Sequence, residues 1–108
     1  MEKRLGKIIS IKFGLDENML GLHLSLGNEN WGVKDSNAIW DYERVKRTEY
    51  TQWPEESRTE SFIDLMKHIS KLLKDAKVNS VDELKGKPIE MTFEGNLMRE
   101  WRILTEVL

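Results

Sequence analysis

The side chains able to do chemistry are few in kind and scattered in position. Histidine occurs twice, as His23 and His68, and cysteine not at all. That removes disulfides, thiolate nucleophiles and thiolate metal ligands together. His68 follows Asp64 by four residues, so on a helix the two share a face. A metal site needs three or four ligands in fixed geometry, and no third histidine stands nearby. The pair reads as a solvated helix face, and neither a metal nor any other cofactor is expected.

Carboxylates come in close pairs: Glu55 and Glu56, Asp82 and Glu83, Glu90 and Glu94. Acid–base catalysis needs two carboxyl groups in a water-poor pocket with their pKa values pushed apart. Glu90 and Glu94 instead fall on an exposed strand face, where Arg99 and Arg102 are ordinary cross-strand partners. Glu83 is absorbed by a helix cap. The glycines form no phosphate-cradling loop, and no serine sits in a nucleophile elbow. An enzyme is not expected.

A different signal lies in "SNAIWDYERVKRTEYTQWPEE", residues 36–56. Trp40, Tyr42, Tyr50 and Trp53 are interleaved there with Arg44, Lys46 and Arg47, and Arg58 follows. Aromatic rings beside guanidinium groups make protein-binding hot spots and also stacking platforms for unpaired bases. The site predicted from this pattern is Trp40, Tyr42, Arg44, Arg47, Tyr50 and Trp53. The alternative is structural: Trp40 and Trp53 fold back to cover the sheet. The stretch has no sustained period, so it is either a short helix or a functional loop.

The elements that must position this segment are clearer. "RLGKIISIKFG" places Leu5, Ile9, Ile11 and Phe13 on one face at period two, with Ile8 out of phase. "MLGLHLSLG" does the same with Leu20, Leu22, Leu24 and Leu26, and "LDEN" between the two is a turn. "WGVKD" is a short third strand. A helix follows from about Arg58 to Lys77, opened by Ser57 and Glu60 as a capping box. Its stripe is Phe62, Leu65, Met66, Ile69, Leu72, Leu73 and Ala76. Ser80 and Glu83 start a single further turn that Gly86 and Pro88 end. The final stretch alternates Ile89, Met91 and Phe93, turns at Glu94-Gly95-Asn96, and resumes with Leu97, Trp101, Ile103 and Val107 inward. The order β-β-β-α-β-β predicts an α+β fold: a five-stranded, mostly antiparallel sheet with one main helix packed on one face.

The composition suits one domain spanning 1–108, with 39% hydrophobic and 33% charged residues. The net charge of −2 argues against a nucleic-acid partner, which a strong basic excess would favour. No apolar run approaches the roughly 20 residues of a membrane span, and "MEKRLGKII" has no export signal. A cytoplasmic location without a membrane partner is expected.

Three segments together carry a resemblance: "WGVKD" at 31–35, "LLKDAKVNSVDELKGKPIEMTFEGN" at 72–96 and "WRILTEVL" at 101–108. They resemble a family of small phage- and prophage-encoded proteins of unknown function. Its marks are a Trp-Gly-Val strand, a Leu-Lys-Gly-Lys-Pro approach and a closing Trp-Arg-Ile-Leu-Thr-Glu strand. The resemblance implies a place in the host bacterial cytoplasm and a class of roles, without catalytic residues. The leading expectation is a phage accessory protein acting as a non-catalytic protein-binding module. Its partner would be host- or phage-encoded, and inhibition of a host-defence protein is one version of the role. The competing expectation is a single-stranded nucleic-acid-binding accessory protein using the same aromatics and arginines.

Overall fold

The computed structural model describes residues 1–40 and 55–108, and their side chains except at Trp40 and 55–58. Its architecture starts from one long strand, β1 (Glu2–Asp16), whose two halves serve different neighbours. From Lys7 to Asp16 it pairs with β2 (Met19–Gly27), and from Glu2 to Lys7 with β4 (Pro88–Glu94). β3 (Gly32–Trp40) lies beyond β2, and β5 (Leu97–Ile103) beyond β4. The result is a five-stranded antiparallel sheet in the order β3-β2-β1-β4-β5. Helix α1 (Glu55–Ala76) joins β3 to β4, so the α+β reading and the β-β-β-α-β-β order describe the molecule.

Two single-residue bulges explain where simple alternation misplaces side chains. In β1, Ile8 faces Leu26 and Ser10 faces Ser25, so Ile9 is the extra residue. An inserted residue exchanges the two faces of the strand beyond it. Ile8 is therefore fully buried, while Leu5, expected inward, lies on the outer face opposite Glu90 and is 66% exposed. In β5, Met98 faces Phe93 and Glu100 faces Thr92, leaving Arg99 as the extra residue. Met98 thus packs against the core and Leu97 is exposed.

The β1–β2 hairpin turns through Glu17 and Asn18, both at positive φ, which is the backbone signature of a type I′ turn. Gly6 has a different role. A Cβ there would stand 2.6 Å from the Gly27 carbonyl oxygen, so a side chain is excluded where β1 changes partners.

The sheet curls inward on its Leu22, Leu24, Leu26, Ile89, Met91 and Phe93 face. Leu65, Leu72 and Ala76 of α1 complete this core, with Ile69 and Leu73 packed against it. Phe62 and Met66, assigned to the same stripe, are exposed instead. The helix begins at Glu55, so Ser57 lies within it and does not cap it. The second cap has the expected form, with Glu83 Oε2 accepting from the backbone N–H of Ser80 at 3.0 Å and Asn79 at 2.8 Å. The last strand stops at Ile103, and Val107 is exposed in a short 3-10 turn rather than inward. No helix among the described residues is long and apolar enough to cross a membrane.

Candidate functional site

Of the six residues predicted to bind a partner, Tyr42, Arg44, Arg47, Tyr50 and Trp53 lie outside the described residues. Trp40 is the last residue of β3, its Cα opposite Met19, and its side chain also lies outside them. β3 ends at Trp40, beside the β1–β2 turn, and the described chain resumes at Glu55 of α1.

Large apolar side chains are exposed on both the sheet and the helix. Phe13 stands opposite the buried Leu22 but is 56% exposed. On the N-terminal half of α1, Ile63 is 49% and Met66 62% exposed. Elsewhere the surface is mixed in charge. On the outer sheet face, Arg102 donates to Glu90 at 3.2 Å and to Glu106 at 3.1 Å, while Lys3 reaches Glu90 at 3.8 Å. Glu106 and then Glu90 hold Arg102 more firmly protonated, and Arg102 lowers the pKa of Glu106. Lys3, Glu90, Thr92, Glu100, Trp101 and Arg102 line a cleft of about 180 Å³ whose charges neutralise one another. Arg99 donates to Glu94 at 2.9 Å.

His23 is turned to the outer face of β2 yet is only 7% exposed. Its Nε2 lies 3.2 Å from the Gly14 carbonyl and 3.1 Å from the Met19 carbonyl. A carbonyl can only accept, so Nε2 carries the proton. Nδ1 then accepts from Ser36 Oγ at 2.9 Å. Every ring nitrogen is engaged, and the residue pins the hairpin to β3 rather than offering a ligand. In the neighbouring groove Lys34 donates to Asp16 at 3.2 Å and holds its carboxyl below the usual range.

The concave face holds polar groups that strand alternation had hidden. Asp35 and Asn37 alternate with Val33 and Ile39 toward the interior, opposite Leu24 and Leu22. Trp101 Nε1 of β5 donates to Asp35 Oδ2 at 2.9 Å. The two residues belong to opposite edges of the sheet, so this bond measures how far the sheet has curled. Helix α1 contacts both edge strands and lies over the seam between them. At the other end of the concavity the Arg4 guanidinium stands 4.3 Å from the Phe93 ring and 5.5 Å from that of Trp31. Its ion pair with Glu2 keeps that charge at the rim.

His68 faces this seam. Its Nε2 is buried without a hydrogen-bond partner among the described residues. Burial pushes its pKa down, Asp35 works against that, and Lys71 adds to it. The Asp64–His68 pair gathers no further ligand, and among the described residues no three of His, Cys, Asp and Glu come together as a metal would need.

The chain matches no known protein-family model, no curated protein and no solved structure.

Proposed function

We propose that the chain is a non-catalytic protein-binding module, a phage or prophage accessory protein that docks on a host or phage protein and inhibits it. The observation that carries this reading is the exposure of large apolar side chains, Phe13 on β1 and Ile63 and Met66 on α1, in a chain whose residues 41–54 are rich in aromatic and basic residues. Contiguous apolar surface left in water marks interaction sites. Binding residues belong on segments carried by a rigid scaffold, and the two hairpins and α1 supply that scaffold. The self-neutralised outer face, with Glu90 between Lys3 and Arg102, favours a protein over a nucleic-acid strand, which needs a continuous positive track.

The test is affinity purification of the tagged chain from infected bacterial cells with chemical crosslinking. It compares the wild type with a Phe13→Asp, Met66→Asp variant of unchanged melting temperature. The expected result is a specific co-purifying protein, crosslinked near the start of α1 and lost with the variant. Micromolar binding of a labelled oligothymidylate by the purified chain, or retention of the same protein by the variant, would overturn the proposal.

A further inference from the structure

We propose that His68 makes the seating of α1 over the seam between β3 and β5 sensitive to acid: the neutral ring fits the seam, and the protonated ring drives the helix away from it.

The geometry has three parts. Helix α1 bridges the two edge strands, so its position and the closure of the curled sheet depend on each other. Trp101 and Asp35 form the hydrogen bond across the seam, which uses the one inward carboxylate that β3 supplies. His68 brings a ring nitrogen to this place that is sealed from water and has no partner among the described residues. An unpaired buried polar atom is costly, and a charged one far more so. A neutral imidazole can leave an acceptor nitrogen idle at moderate cost. Imidazolium must place an unpartnered N–H donor at the sealed Nε2 and part of its charge in the half-buried ring.

The charged groups around the ring do not reverse that balance. From β3, Asp35 favours the charged ring, but by less than burial disfavours it. From β5 the seam receives the uncharged indole of Trp101, while Glu100 and Arg102 occupy the outer face. Along α1 itself, Lys71 opposes charging, and Lys67 and Asp64 are exposed. Desolvation is the largest influence and holds the pKa of His68 below its ordinary 6.5. The seated helix therefore binds fewer protons than the released one between the lowered value and 6.5. Stability from this group is complete above 6.5 and declines as pH falls through that interval.

The experiment uses the full chain, whose histidines are His23 and His68 alone. The ring proton of His68 is followed by NMR from pH 8 to 5 and assigned with His68→Gln. Amide exchange over α1, corrected for its intrinsic pH dependence, is measured in parallel. The expected midpoint lies below 6.5. Exchange in the 65–76 stretch should rise at least about threefold on going from pH 7.5 to 5.5, and not in His68→Gln. A midpoint at or above 6.5, or the same rise in His68→Gln, overturns the proposal. Should the variant fail to fold, the wild type decides alone. Its helix exchange must rise over the same pH interval in which His68 titrates, and any other interval refutes the coupling.

Discussion

A carboxylate at an inward strand position needs a partner, and Asp35 shows what one bond at such a place is worth. Hydrogen bonds to charged groups contribute about 1.5–3 kcal/mol. Asp35→Ala leaves the Trp101 N–H without its acceptor and should lower stability by about 1–3 kcal/mol in urea melts. Asp35→Asn keeps an acceptor oxygen and should lose less than half as much. Equal losses would show that the indole bond is not what Asp35 supplies. In the sequence, "WGVKDSN" gives Asp35 and Asn37 as polar residues in phase with Val33. Read alone, that breaks the apolar alternation and seems to end the strand, whereas β3 continues to Trp40. The polar positions are tolerated because the opposite sheet edge and the helix come to meet them. Only the curled tertiary structure supplies that partner. His68 was legible as a helical residue. Its placement against the seam was not, because the residue it faces is more than thirty positions away.

At the scale of elements, the helix and the closing hairpin were the most legible parts, and the errors within them are local. Period identifies α1 and capping the Ser80–Glu83 turn, because a repeating face and local hydrogen bonds determine them. Which part of an apolar stripe is covered depends on the length of sheet beneath it. Leu65, Leu72 and Ala76 reach the core, whereas Met66 does not. Leu72→Ala empties a core position and should cost about 2–5 kcal/mol. Met66→Ala should change stability by less than about 0.5 kcal/mol, as exposed substitutions do. Chemical denaturation of the two variants side by side checks this, and similar losses would mean that the N-terminal half of α1 is packed after all. The bulges at Ile9 and Arg99 are another matter. A bulge adds a residue without a distinctive residue type, so the sequence shows only its consequence, a side chain out of phase such as Ile8. The phase error in β1 was visible, but its cause needed the partner strand.

At the scale of the whole molecule, a curled sheet is covered by one helix. The charged outer face is satisfied within itself, by pairs such as Arg102 with Glu90 and Arg99 with Glu94. Exposed pairs of this kind add little to stability and hold no charge in reserve for a partner. The concave face is occupied by its own core and by α1. Apolar side chains left uncovered include Phe13, Ile63 and Met66, and also Leu5, Leu97 and Val107. Trp53 and Arg47, in the segment between β3 and α1, have the side chains that dominate interface energies: a large ring with few rotamers and a planar donor fork. If they serve a partner, replacing both by alanine removes contact area and directed hydrogen bonds without emptying a core position. Capture of the co-purifying protein should then weaken at least about tenfold, a loss typical of hot-spot residues. The melting temperature should stay within about 2 °C of the parent, because surface substitutions move stability little. The opposite pattern, a large drop in melting temperature with capture intact, would mean that Trp53 covers the fold. The partner surface would then be Phe13, Ile63 and Met66 alone.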